Sequence, residues 1–460
     1  MKITGIEIGK YRQFKNIKFD FTYPADHEKA GQPLEKVCFI GQSGTGKTTL
    51  LNVIFDFFQV VNDGYQILNN RFSISSVTHY NAFKENLSVS ALIDNQQISF
   101  SSKHIRNPTD FFINNNKDIA GSSLDWMKSL DILELIKLHK KLCLYIDDSS
   151  ANHAYTLTGD RNEIGNRPYL TSTDEIFLAN EKREEFINKI EQSKVMSLHS
   201  LDGRYLWSYL LGDIEKYDES LKKIAIDLIQ KNGSFSPDRL TKNLTKWQEE
   251  NPNPKVSLAT ECLNPILENF FLEVDTEGTE ALIVIRTKNG NQLQYNGLST
   301  GTKQLLVTAI PIYKGQVDRG VVLFDEPERS LFPDIQRILI KHYTSLAPEA
   351  QFFFATHSPI VASAFEPCER FILYFDENGE VKFHNGVAPE GDDPNDILRQ
   401  DFGMEPLMLD KGVEEYQRYL DLSTKILNEA NVDRRMELIA ERSVIGNKYN
   451  FSVTNSDETN

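Results

Sequence analysis

The segment Gly41-Gln42-Ser43-Gly44-Thr45-Gly46-Lys47-Thr48 fits the pattern G-x-x-x-x-G-K-[ST], whose chemistry is phosphate capture. Its glycines let backbone N–H groups curl around phosphate oxygens, and a helix starting there adds positive potential. Lys47 has the reach and charge for the terminal phosphates, and the Thr48 hydroxyl suits Mg²⁺. With Thr49, the run 41–49 forms one candidate phosphate-contacting set. A second constellation, Val321-Val322-Leu323-Phe324-Asp325-Glu326, is four apolar residues and then two acids. A buried strand would deliver Asp325 at its carboxyl end, suited to a divalent cation, and Glu326 as the base that orients a water. A third, Gln351 to Ala355 followed by Thr356-His357-Ser358-Pro359, ends another apolar strand in a histidine. His357 is placed to sense a terminal phosphate or to hold the water. The fourth, Leu298-Ser299-Thr300-Gly301-Thr302-Lys303-Gln304, offers the Ser299 hydroxyl and the Gly301 amide at a helix start. A simple helix cap has the same appearance.

These groups need strands and helices to hold them. The run Val37-Cys38-Phe39-Ile40 suits a buried strand ahead of the glycine loop, and Leu50-Leu51-Asn52-Val53-Ile54 suits the helix after it. Ile3, Ile6 and Ile8, then Tyr11-Arg12-Gln13-Phe14, then Ile17, Phe19 and Phe21 read as an opening strand or hairpin. Leu87, Val89 and Ala91 alternate with serines, the period of a half-buried strand, and Gln97 to Phe100 reads as another. From about 120 to 255 the pattern turns mainly helical. Ile132, Leu135, Leu138 and Leu142 recur at helical spacing, as do Ile214, Tyr217, Leu221, Ile224 and Leu228. Hairpins are expected at Lys288-Asn289-Gly290 and at Asp376-Glu377-Asn378-Gly379. A helix is expected over 334–346 and a charged helical tail over about 413–442, with a loose end from Lys448.

The chain has 460 residues, of which 40% are hydrophobic and 25% charged, so it should fold with a real core. Its formal net charge of −16 argues against a broad DNA-gripping face. Nucleic acid then enters through a partner or a local patch such as Lys140-Lys141, Lys182-Arg183 or Lys222-Lys223. No run of about 18 apolar residues suggests a transmembrane helix, and the N-terminus has no secretory apolar region. Cys38, Cys143, Cys262 and Cys368 are scattered without metal-ligand spacing, and the cytoplasm is the default location.

Taken together and in this order, the four motifs resemble the head of ABC-type ATPases. Gly41–Thr48 looks like Walker A, Leu298–Gln304 like the signature, Val321–Glu326 like Walker B, Pro327–Pro333 like the D-loop and His357 like the switch histidine. About 250 residues separate Lys47 from Ser299, which resembles the SMC-like branch rather than transporter ATPases. The signature has Thr300 and Thr302-Lys303 where the family often has Ser or Gly and then Glu, and the D-loop has Phe332 where it often has His.

The resemblance implies an α/β fold: a mixed sheet with flanking helices, a large, mainly helical insertion and a helical tail. The corresponding domains are 1–120 and 256–405 for the head, 121–255 for the insertion and 406–460 for the tail. It also implies ATP and Mg²⁺ as ligands. Gly41, Gln42, Ser43, Gly44, Thr45, Gly46, Lys47, Thr48 and Thr49 would contact the nucleotide, and Thr48 and Asp325 the metal. Glu326 and His357 would be catalytic. Ser299 and Gly301 would act on the nucleotide of a second copy, in a homo-oligomer built from head-to-head dimers.

Compact members of this branch are common among bacterial anti-phage defence ATPases. The length, the compact insertion and the segment Asp393-Pro394-Asn395-Asp396-Ile397-Leu398 look most like the ATPase subunit of the Septu system, with the PARIS ATPase as competitor. The chain itself carries no nuclease constellation: Asp392-Asp393 and Asp396 look like a loop and cap, and His384-Asn385 like a hairpin feature. The resemblance therefore implies a separate nuclease subunit, HNH-type or, in the competitor system, Toprim-type. The alternative is an SMC-like ATPase of DNA repair or chromosomes acting directly on DNA.

Overall fold

The computed structural model describes residues 1–68, 87–93, 96–101, 112–113, 136–147, 180–198, 203–231, 237–277, 283–293, 297–405 and 407–451. The chain forms two compact units, Met1–Asp392 and Asp393–Asn460, a division that falls ahead of the expected one at 405/406.

The first unit opens with the antiparallel hairpin β1 (Lys2–Tyr11) and β2 (Phe14–Asp20). β3 (Lys36–Gly41) and a helix over Lys47–Leu68 follow. β4 (Leu87–Ile93), β5 (Gln96–Ser101) and β6 (Phe112–Ile113) join the opening hairpin in an antiparallel sheet of order β2-β1-β4-β5-β6. Along β4, burial alternates residue by residue, as the Leu87, Val89, Ala91 spacing predicts. Next come β7 (Cys143–Ile146), a helix over Asn180–Gln192, β8 (Val195–Ser197), and helices over Gly203–Lys231 and Pro237–Glu250. A small antiparallel sheet joins β9 (Leu272–Val274), β10 (Ile285–Thr287) and β11 (Gln292–Leu293), turning at Gly290, whose φ is 83°. The unit continues with a helix over Thr300–Lys314, β12 (Val321–Asp325), a helix over Pro333–Leu346 and β13 (Gln351–Ala355). It closes with the hairpin β14 (Arg370–Phe375) and β15 (Val381–Asn385).

Among the described residues, seven strands form the principal sheet in the order β15-β14-β3-β13-β12-β7-β8, parallel throughout except for the β14–β15 hairpin. The expected α/β architecture with a mixed sheet and flanking helices is what the chain adopts. β7, β12 and β13 are buried along their whole length, which is why they read as continuous apolar runs rather than alternating ones.

Among its described residues, the stretch expected to be mainly helical has three long helices, but it also contributes β7 and β8 to the principal sheet. Within the Ile132–Leu142 periodicity, only 136–138 is helical among the described residues, and Leu142 leads into β7; Ile132 and Leu135 lie outside them. The four residues of β7 are too few for a helix, and periodicity alone does not tell a short apolar run of one kind from the other. Pairing with β12 decides the matter.

One core spans both large sheets and the Lys47–Leu68 helix. Phe21 packs edge-on to Phe353 and Phe371 with ring centroids 5.1 and 5.2 Å apart. The fully buried Gln351 amide stitches the sheets together. Its Oε1 accepts from Ile3 N at 2.7 Å, and its Nε2 donates to Ile3 O at 2.9 Å and Leu34 O at 2.8 Å. These bonds hold the opening hairpin, and with it Gln13 and Phe14, in fixed relation to β13.

Among its described residues, the second unit has a short helical stretch over 394–401 and then a pair of helices, Asp410–Asn428 and Val432–Tyr449, sharing Tyr419, Leu422, Leu438 and Ile445. The tail expected over 413–442 is therefore two helices. Asn431 caps the second by accepting from Arg434 N at 3.1 Å. The end expected to be loose from Lys448 is helical as far as Tyr449, and residues 452–460 lie outside the described ones. No helix among the described residues is long and apolar enough to cross a membrane.

Candidate active site

Of three neighbouring strands of the principal sheet, β12 and β13 end level and β3 runs two residues further. Phe39 of β3 lies opposite Ala355 of β13, and Ala355 lies opposite Asp325 of β12. β3 runs into Gly41 and the glycine loop, β13 into Thr356-His357, and β12 into Asp325-Glu326. With about 4.8 Å between strands, the loop, the histidine and the two acids emerge along one sheet edge. That edge is the carboxyl end, where open α/β sheets take ligands. The electrostatics agree. Burial lowers the Lys47 ammonium pKa, while Asp325, Glu326 and Glu328 pull it back up. Burial and the Lys47 charge lower the His357 pKa, opposed by Glu326.

The glycine loop has the backbone its sequence requires. Gly41, Gly44 and Gly46 have φ of 143°, 86° and 100°, a region that side chains with a Cβ avoid. At Gly46 a Cβ would overlap the Gln13 side-chain amide and lie 2.7 Å from Phe14 Cζ. The opening hairpin is thus packed directly behind the loop. Gln42, Ser43, Gly44 and Thr48 are exposed, whereas Thr45, Lys47 and Thr49 are buried. Thr45 Oγ1 donates to Gln42 O at 2.7 Å and braces the turn. Lys47 Nζ folds back on the loop, donating to Gly41 O at 2.9 Å and Gln42 O at 3.3 Å. A phosphate would offer that ammonium a charged acceptor in place of two neutral ones.

Asp325 is buried at the end of β12. Glu326 follows with a left-handed φ of 49°, an unusual conformation for a side-chain-bearing residue, held by its N–H donating to Ala355 O at 2.8 Å. Backbone strain of this kind concentrates at working sites. The His357 ring is exposed, but its backbone is fixed: His357 N donates to Glu328 Oε1 at 3.0 Å.

Ser299 and Gly301 stand elsewhere. Ser299 caps the Thr300–Lys314 helix, its Oγ accepting from Thr302 N at 3.1 Å. A Cβ on Gly301 would meet Ser330 O at 2.7 Å and Leu331 Cδ2 at 3.0 Å. The neighbours of Gly301 are thus in the segment after β12, not in the glycine loop. Of the basic pairs, Lys141 is buried and its ammonium donates to Ile190 O and to Ser193 O at 2.7 Å, closing a helix end. His384 and Asp393 make local bonds, to Asn385 O and from Asn395 N.

Sequence reasoning missed the roles of Gln13, Gln351 and Glu328. Gln13 lies in the opening hairpin and Glu328 in the string that resembles the D-loop, while Gln351 opens an apolar strand with no local sign of a bridging role.

Comparison with known proteins follows the same lines. The family described as AAA ATPase domain matches residues 1–362. The Retron Vc95 probable ATPase of Vibrio cholerae serotype O1 biovar El Tor is 20% identical over 402 residues, 78% of this chain and 71% of that protein. The Septu protein PtuA of Bacillus thuringiensis is 29% identical over 151 residues, covering 30% of this chain and 37% of its own length. Among solved structures, the SMC head domain from Thermotoga maritima aligns with a TM-score of 0.39 at 12% identity, over 84% of this chain and 100% of that one. An SMC head bound to the C-winged helix domain of ScpA aligns with a TM-score of 0.39 at 11% identity, over 84% and 97%. The family match takes in the glycine loop, the Ser299–Gly301 turn, both acids and His357, and the chain belongs to the AAA ATPase domain family.

Proposed function

We propose that this chain is an ATP-hydrolysing switch that gates a separate nuclease subunit in a bacterial anti-phage complex. The observation that carries the ATPase chemistry is that β3, β13 and β12 are adjacent, parallel and end within two residues of one another, which groups the glycine loop, His357 and Asp325-Glu326 at one edge. In this reading, backbone N–H groups of 41–49 bind the phosphates, and Lys47 leaves its two carbonyls for them. The oxygen donors Thr48 Oγ1, exposed, and Asp325, buried at the same sheet edge, suit Mg²⁺. When bound, the ion supplies charge neutralisation on the phosphate oxygens. Glu326 accepts the proton of the attacking water, and His357 contacts the terminal phosphate from the adjacent strand end.

Ser299 and Gly301 serve the nucleotide of a second copy. Support comes from Gly301, whose neighbours are Ser330 and Leu331 rather than the glycine loop. Two copies then close head to head on ATP, and hydrolysis reopens them, a two-state element that a partner can read. The defence assignment is supported by the likeness to proteins named as a retron probable ATPase and a Septu protein. An HNH-type nuclease partner is favoured, with a Toprim-type one as the competitor, and nucleic acid is reached through the complex.

Two variants test the chemistry. Lys47→Ala should lose ATP binding. Glu326→Gln should bind ATP, release phosphate at least about a hundredfold more slowly and accumulate as a dimer. An unchanged phosphate-release rate in Glu326→Gln would remove Glu326 from its role. Mass spectrometry of proteins co-purifying with the tagged chain tests the partner. A stoichiometric nuclease is expected, whereas a homodimer without one would favour direct action on DNA.

A further inference from the structure

The segment after the two acids carries a third, Glu328, whose carboxylate is divided between two environments. Oε1 accepts two hydrogen bonds, from Thr356 Oγ1 at 2.7 Å and from His357 N at 3.0 Å. Oε2 is buried without a hydrogen-bond partner. Burial raises the Glu328 pKa, the bonds from Thr356 and His357 work against that rise, and Glu326 adds to it. A buried carboxyl oxygen without a partner costs folding free energy and calls for an explanation of why it is there.

What Oε1 does is hold the histidine strap. Thr356 Oγ1, which donates to Glu328, also accepts from Ser358 N at 2.9 Å. Ser358 Oγ in turn donates to Gln336 Oε1 at 2.6 Å, and Gln336 Nε2 donates to Leu331 O at 2.9 Å. All three residues of 356–358 are thus tied to the segment 328–336. Only the His357 ring is left outward, on the side of Lys47 and Glu326, whose charges it feels.

We infer that Glu328 is a positioning residue for ATP hydrolysis: by accepting from His357 N and Thr356 Oγ1, its carboxylate sets where the His357 ring stands at the phosphate edge. The inference rests on the reading of His357 given above. Glu328 makes no hydrogen bond to the glycine loop and acts on Lys47 only through its charge, so its loss should disturb turnover more than nucleotide capture.

The experiment is steady-state ATP hydrolysis by the full chain for Glu328→Ala, His357→Ala and the double variant. Glu328→Ala should lower kcat about tenfold or more, as misplaced catalytic groups do, with KM within about threefold. In the His357→Ala background it should cost nothing further, because a residue acting through His357 has nothing left to position. Glu328→Gln, which keeps the Oε1 acceptor, should recover most of kcat. Thr356→Val, which removes one of the two donors, should show the same pattern more weakly and serves if Glu328→Ala does not fold. Additive losses in the double variant, or a KM rise at constant kcat, would overturn the inference. An unchanged rate in His357→Ala would overturn the reading of His357, and a Glu328→Ala loss beside it would show that Glu328 does not act through the histidine.

Discussion

Replacing Gly46 by alanine separates the demands of the glycine loop from general stability. The backbone at Gly46 runs at φ 100°, beyond the narrow left-handed well that other residues tolerate at about +50 to +70°. Alanine there costs at least about 1–2 kcal/mol in local strain. Its Cβ would also overlap the Gln13 amide and stand 2.7 Å from Phe14 Cζ. Gln13 is only half-buried and can swing aside. Phe14 is fully buried and meets the Phe19 ring edge-on at a centroid distance of 6.5 Å, so it cannot. Overpacking against a fixed ring adds about 1–3 kcal/mol. The sum is roughly 2–5 kcal/mol. The exposed loop residues Gln42 to Gly44 are the part able to yield, and yielding there spoils the phosphate cradle. Even the lower figure corresponds to about 30-fold weaker ATP binding. The assay is titration with a fluorescent ATP analogue at fixed Mg²⁺, alongside urea unfolding. Gly290→Ala is the control, since Gly290 also has a left-handed φ, 83°, but nothing lies within 4 Å of its added Cβ. It should lose stability without losing affinity. A Gly46→Ala variant with affinity within about twofold of the parent and an unchanged urea midpoint would refute the reasoning.

Burial lifts the Glu369 carboxyl pKa to about 7, with the Lys36 charge opposing the rise. A carboxyl raised on folding binds its proton more tightly in the native state, so stability falls as pH rises from the unfolded carboxylate range toward 7. The slope from this group reaches about 1.4 kcal/mol per pH unit. Glu369→Gln should flatten that limb in urea midpoints measured from pH 5 to 8, and identical slopes would count against the assignment. Gly301→Ala pushes a Cβ against Ser330 O and Leu331 Cδ2. In the Glu326→Gln background it should leave ATP binding to the single chain intact and abolish ATP-dependent dimers in light scattering; persistence of the dimer would remove Gly301 from the shared site.

Much of the site is legible in the sequence because its chemistry is written in contiguous residues. A phosphate loop needs glycines at particular spacings, and Gly41, Gly44 and Gly46 show why in their positive φ values. The apolar runs ending in Asp325 and before His357 announce strands buried on both faces, and Gly290 and Gly379 announce their turns. Short runs without such punctuation mislead. Cys143–Ile146 follows a helical periodicity and is a strand, because its ladder partner, β12, lies far along the chain. The same holds for Glu328, whose hydrogen-bond partners arrive from the end of the next strand, and for Gln351, whose amide reaches back to Ile3. The sequence alone determined which residues could bind phosphate, hold a cation or accept a proton, since residue type and local spacing carry that information. Only the tertiary structure decided that they share an edge, because strand order and level are set by long-range pairing of apolar segments, and no single segment records its neighbours.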